Sequence, residues 1–138
     1  MQKERQNEEI FIAKEHIEIP DGKHNGQITD VQLNKYNNDM GDFSYIDLFV
    51  TVMDMDVLPL PVIKVGVNAN ISDLSKLGML LSKSGYKFHA GDEITFAKIK
   101  ETFLLREITF KTINLQKLVK GVKMEFANII YETIDFVK

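Results

Sequence analysis

The sequence predicts a mainly β protein: a small closed barrel of five strands with one α-helix between the third and fourth. Three observations carry that prediction. Apolar residues recur at every second position in several runs, the mark of strands buried on one face. Only the stretch after residue 72 spaces its leucines by three and four, as a one-sided helix does. The first strand changes phase midway, which a β-bulge explains and which bends a strand sharply. With 138 residues, 44% of them hydrophobic, the chain has enough material for one core.

Taken in order, residues 1–19 read as an N-terminal arm and 20–138 as the barrel domain. Pro20-Asp21-Gly22 is a turn signal, followed shortly by Asn25-Gly26. GQITDVQL (26–33) reads as a strand whose apolar residues move from an even position, Ile28, to odd ones, Val31 and Leu33. This places a bulge near Thr29-Asp30. Tyr36–Gly41 reads as a polar loop. FSYIDLFVTVM alternates cleanly, with Ile46, Leu48, Val50 and Val52 on one face and Tyr45, Asp47, Phe49 and Thr51 on the other. Pro59 and Pro61 end that pairing. VIKVGVNANI follows, with Ile63, Val65 and Val67 inward and Lys64, Gly66 and Asn68 outward.

Ser72 reads as a helix N-cap, Leu74, Leu77, Leu80 and Leu81 as the buried stripe, and Gly85 as the stop. EITFAKIKET (93–102) is ambiguous between a short helical turn and irregular chain. REITFKTINL and GVKMEFANIIY read as a hairpin joined by QKLVK. Three strands, a helix and two strands, with a bent first strand, is the plan of the OB-fold.

On DGKHNGQITDV (21–31), GDFSYIDLFVTV (41–52), VGVNANISDLSKLGMLLSKSG (65–85) and EITFKTINL (107–115), the chain resembles small OB-fold single-stranded-DNA-binding proteins of phages and archaea. The shared pattern is a Gly in a bent first strand, a second strand opening on Gly and an aromatic, and an "N-IS--SKLG-LL---G" segment leading into the helix. The resemblance covers about residues 20–134. It implies a non-enzymatic binder of single-stranded DNA, with RNA as an alternative ligand, acting in replication or recombination. One barrel covers only a few nucleotides, so a homo-oligomer that links sites is expected, as is a cytoplasmic location, that of a prokaryotic host cell if the chain is phage-encoded. Many such binders end in a flexible acidic tail that recruits enzymes. YETIDFVK reads as strand instead, so recruitment of that kind is not expected.

Composition sets limits of its own. The net charge of −3 excludes a chain that coats nucleic acid by bulk positive charge. The charge is uneven: residues 1–60 carry 5 basic and 12 acidic side chains, residues 61–138 carry 12 and 8. Arg5 and Arg106 are the only arginines. Lysine suits phosphate, whereas bidentate reading of base edges favours arginine, so sequence-tolerant contact is expected. The absence of cysteine excludes disulfides, thiolate metal sites and a Cys nucleophile. The apolar runs are too short to span a membrane, and MQKERQNEEI does not resemble a signal peptide.

A single-strand binder needs cations for phosphates and aromatic faces for bases. Tyr36, Phe43, Tyr45 and Phe49 are the candidate stacking residues, and Asp47 between the last two would repel phosphate. Lys35, Lys64, Lys111, Lys117, Lys120 and Lys123 are the candidate cations, the last three around the tip of the final hairpin. Gly66 leaves room for a base or simply serves barrel curvature; Asn68 and Asn70 contact ligand or make the turn into Ser72. Asp54-x-Asp56 lacks the acidic partners of a Mg²⁺ site, and His16, His24 and His89 lack metal-ligand spacing. No catalytic residue, metal or cofactor is therefore expected. The alternative function is a protein-interaction or virion structural module on the same barrel. It is favoured if the acidic residues of the first half, and not the lysines, share a face with Tyr45 and Phe49.

Overall fold

In a computed structural model, which describes residues 18–138, five antiparallel strands curl into a half-barrel. They are β1 (Gly22–Asn38), β2 (Gly41–Val52), β3 (Val62–Asn68), β4 (Glu107–Val119) and β5 (Val122–Phe136). Two short helices, α1 (Lys76–Lys83) and α2 (Phe96–Phe103), lie in the crossover from β3 to β4. The strand order is β3-β2-β1-β4-β5.

β1 organises the sheet because its two halves pair with different neighbours. Gly22 to Gln27 run against Thr112 to Glu107 of β4, and Gly26 to Asn38 run against Val52 to Gly41 of β2. The register shifts between Ile28 and Asp30, where the sequence changes phase. The bulge lets Ile28 and Val31 both face the core. Gly26 sits where the two pairings overlap, and a Cβ there would come within 2.8 Å of both Phe110 and the Thr51 carbonyl.

Ile46, Leu48, Val50 and Val52 of β2 and Ile63, Val65 and Val67 of β3 are buried, as their alternation predicts. Ile108 and Phe110 of β4 meet them from the other side. Leu77, Leu80 and Leu81 of α1 and Ile99 and Phe103 of α2 complete the core. Most of the arm expected over residues 1–19 falls outside the described residues. Ile19, at its end, is 4% exposed and belongs to the core.

Five expectations are corrected. First, the crossover holds two helices, not one. α2 spans only two turns and its Thr, Ile and Phe also suit strands, so its spacing is ambiguous in sequence. Thr95 caps it, its Oγ1 accepting from the Lys98 N–H at 3.1 Å. Second, the N-cap of α1 is Ser75, whose Oγ accepts from the Gly78 N–H. Ser72 Oγ instead accepts from the N–H groups of Leu74 and Ser75, folding a turn ahead of the helix. That turn lies against Gly78, turning Leu74 out to 88% exposure, so the buried stripe is Leu77, Leu80 and Leu81 alone. Gly85 ends the helix as expected, at φ +95°, with the Tyr86 N–H donating to the Leu81 carbonyl.

Third, Tyr36–Gly41 is not a loop: the β1–β2 ladder continues to Asn38 opposite Gly41. Fourth, QKLVK is mostly strand. The β4–β5 ladder runs to Val119 opposite Val122, and Lys120-Gly121 turn with φ of 51° and 79°, the left-handed pair a two-residue hairpin needs. Fifth, the sheet is not closed by hydrogen bonds. β3 and β5 approach one another, but no ladder joins them among the described residues. α1 packs against both and so spans the seam. Among the described residues no helix is long and apolar enough to cross a membrane.

Candidate functional site

The register of β1, β2 and β3 determines which side chains share the outer face. Directly opposed residues of antiparallel strands point the same way. Tyr36 stands opposite Phe43; Asn34 and Asn68 flank Tyr45; Gln32 and Gly66 flank Asp47; Asp30 and Lys64 flank Phe49. The four predicted aromatics therefore lie along one face.

At its upper end the Tyr36 ring stacks on Phe43 with centroids 5.5 Å apart and leans on Tyr45 at 4.9 Å. The two tyrosine hydroxyls are hydrogen-bonded to each other. That bond, and then desolvation, raises the Tyr36 phenol above its ordinary range. Tyr36 and Phe43 keep 40% and 39% of their surface exposed, so one side of this pair remains open. Lys35 pairs with Ser44, one step along the register, and flanks the cluster from the other face of the ribbon.

Below Tyr45 the surface sinks into a hollow of about 510 Å³ lined by Tyr45, Asp47, Lys64, Gly66, Asn68 and Lys76, among others. Asp47 is 9% exposed although it lies on the outer face. Asn34 donates its amide to Asp47 Oδ2, and Asp47 Oδ1 stands over Gly66, 2.9 Å from where a Cβ would be. Gly66 thus gives room to this carboxylate as well as to the hollow. At the lower end Asp30 is held below the usual carboxylate range, first by the Gln32 amide, then by the Val31 N–H, with Lys100 of α2 adding to it.

A second hollow, of about 490 Å³, lies in the seam between β3 and the β4–β5 hairpin. Ile19, Ile63, Lys64, Lys117, Phe126 and Asn128 are among its walls. Lys64 lines both hollows and so links the aromatic face to the seam. Lys117 Nζ lies 5.9 Å from the Phe126 ring centroid, and Lys76 Nζ lies 4.5 Å from that of Tyr131. Burial, then the neighbouring Glu132 charge, raises the Tyr131 phenol.

The structure therefore brings together Tyr36, Phe43, Tyr45, Phe49 and Lys64, with Lys117 across the seam. Lys120 and Lys123 stand at the tip of the same hairpin. Lys111 lies apart, between Lys23 and Ile130, at the opposite end of β1 from Tyr36. Lysines and acidic residues share the aromatic face: Lys64 and Lys76 line the first hollow with Asp47, and Asp30 stands across Phe49 from Lys64. Sequence reasoning missed Lys76, Phe126 and Tyr131. Lys76 follows the true N-cap and was hidden by the displaced one; the two rings meet the face only through β5 and the seam. Of the other polar candidates, buried His24 sets Nδ1 3.1 Å from Asp54 Oδ1 and Nε2 2.7 Å from the Pro20 carbonyl oxygen. Among the described residues no three His, Asp or Glu side chains gather as a metal site would require. Compared with known proteins, the chain matches no family model and no curated protein.

Proposed function

We propose that this chain is a single-stranded-DNA-binding protein on an OB-type barrel, protecting single strands during replication or recombination. Lys64 carries the reading: by lining both hollows it joins the stacking face of Tyr36, Phe43, Tyr45 and Phe49 to the cations of the β4–β5 hairpin. Bases stack on the rings, at roughly 1–3 kcal/mol each, while Lys64, Lys76, Lys117, Lys120 and Lys123 follow the phosphates. One such barrel covers about 4–16 nucleotides. A homo-oligomer then gains affinity by linking sites along one strand. The reading is of a cytoplasmic binder that needs neither cofactor nor catalytic group.

The test is fluorescence anisotropy with labelled oligo-dT, oligo-rU and a duplex of equal length, at low and moderate salt. Salt-sensitive preference for dT over duplex supports the proposal, and the rU arm assigns DNA or RNA. No binding at low salt sinks it. A protein-interaction module is the second reading, favoured by Asp30 and Asp47 on the aromatic face and by exposed Ile113, Leu115, Val119 and Val122 on the outer side of the hairpin.

A further inference from the structure

We infer that the hollow beside Tyr45 reads one base, and that it takes the Watson–Crick edge of guanine with the Asp47 carboxylate as acceptor. The inference rests on the single-strand-binding reading and narrows it: tolerance holds along the rest of the path and ends at this hollow.

An acidic residue on a strand's outer face ordinarily extends into water. Asp47 does not, being 9% exposed at the centre of the outer face between Tyr45 and Phe49. Its position is fixed from both neighbouring strands. Asn34 of β1 donates to Oδ2, and Gly66 of β3 leaves the space that Oδ1 occupies. Both Asp47 and Gly66 line the hollow. An ionised carboxylate offers about four acceptor sites and no donor, and Asn34 fills one of them. What remains is a rigid acceptor beside the hollow, which repels phosphate and attracts N–H groups.

The bases differ in what they bring to such an acceptor. Guanine presents N1–H and the N2 amino group side by side, two donors that match the two oxygens of one carboxylate. Thymine and uracil offer a single N3–H flanked by carbonyl oxygens, which face the carboxylate lone pairs. Cytosine and adenine each place an acceptor nitrogen beside their amino group. Guanine alone makes two bonds without an opposing acceptor, and single-stranded bases are read on this edge. A site built around such a bond discriminates strongly because the wrong base leaves a buried polar group unpaired. Gly66 lets the base plane approach β3, Tyr45 flanks it, and Lys64 and Lys76 stand at the rim for the adjoining phosphates.

The experiment measures anisotropy for oligo-dT in which one central position is replaced by deoxyguanosine, deoxyinosine, deoxyadenosine or deoxycytidine. Deoxyguanosine binds about tenfold more tightly than the all-dT strand, the size of one bidentate contact. Deoxyinosine keeps N1–H but lacks the N2 amino group and loses most of that gain. Asp47→Asn abolishes the guanine–inosine difference, read as the ratio of the two affinities within that variant. A purely structural role for Asp47 would not produce the guanine–inosine difference. Should Asp47→Asn fail to fold, Gly66→Ala displaces the same carboxylate from the opposite strand.

Tight dT binding with no preference for guanine over inosine overturns the inference and leaves the single-strand reading intact. So does a guanine advantage that survives Asp47→Asn. Failure of every strand to bind sinks the wider reading instead, and free 5′-GMP then decides. Saturable GMP binding that is lost in Asp47→Asn and absent with 5′-IMP upholds a guanine site; no GMP binding removes it.

Discussion

Gly26 and Gly66 both lie mid-strand, and alanine is expected to cost far more at the first than at the second. A Cβ on Gly26 meets Phe110 Cε1 and the Thr51 carbonyl at 2.8 Å and Val50 Cγ1 at 2.9 Å. Carbon atoms rest at about 3.5–4.0 Å, so the neighbours must retreat by roughly 0.6–1 Å. They have nowhere to go. Phe110 and Val50 are core side chains, and Thr51 O belongs to the β2 backbone. Overpacking of this kind costs roughly 1–3 kcal/mol. The stiffer unfolded chain of an alanine variant offsets about 0.4–1 kcal/mol of it. Gly26→Ala should therefore lose about 1–2 kcal/mol, read as a lower urea midpoint at unchanged slope. At Gly66 the one close atom is a side-chain oxygen, Asp47 Oδ1 at 2.9 Å. Gly66→Ala should cost less than Gly26→Ala, because a side chain can turn aside where backbone and core rings cannot, while the displaced Asp47 carboxylate disturbs the hollow. Equal midpoints for the two variants, or a gain at Gly26, would refute the close approach of β2 and β4 across β1.

Three further outcomes are expected. Lys64→Ala, Lys76→Ala and Lys117→Ala each reduce the slope of log affinity against log salt by about 0.7, the value for one phosphate on a single strand, whereas Lys111→Ala leaves it unchanged. Equal effects at all four positions would place the strand elsewhere. The Tyr36 phenol is raised above the ordinary value of about 10, so the stability it adds is complete below that value and is lost as pH climbs through the raised one. Tyr36→Phe should remove one raised phenol step from an alkaline absorbance titration and flatten the loss of stability there. Ser75→Ala should cost about 1 kcal/mol through loss of the cap, whereas Leu74→Ala should stay within about 0.5 kcal/mol; thermal or urea unfolding distinguishes the two.

The parts of this fold that are legible in sequence are those governed by local periodicity. The phase change from Ile28 to Val31 locates the β1 bulge, and the alternation in β2 and β3 separates the core from the face that carries Tyr45, Phe49 and Lys64. Periodicity cannot rank two serines three residues apart as caps. Ser75 wins because the Ser72 turn packs on Gly78, a contact invisible in composition. Polar ribbons are also hard to read: Tyr36 to Asn38 and Gln116 to Val119 look like loops because they extend beyond the core, where pairing continues without apolar alternation. Half of the candidate site follows from the strand pattern. The other half depends on β5 reaching β3 across the seam, a meeting of residues some sixty positions apart that no local signal announces.

That seam also affects how the two lips of the cleft move. Lys64 stands on one lip and Lys117 on the other, and no strand ladder ties the lips together among the described residues. In a ring of strands bonded all the way round, changing the distance between two such cations would break backbone hydrogen bonds. Here α1, and not a ladder, bridges the two edges, so a change in that gap breaks no strand-to-strand hydrogen bond among the described residues. On the proposed function, cations whose spacing no ladder fixes suit phosphates whose separation in an unpaired strand varies as its bases stack and unstack. In the proposed single-strand binder, the unladdered seam would accommodate any backbone while the acceptor at Asp47 would select a single base.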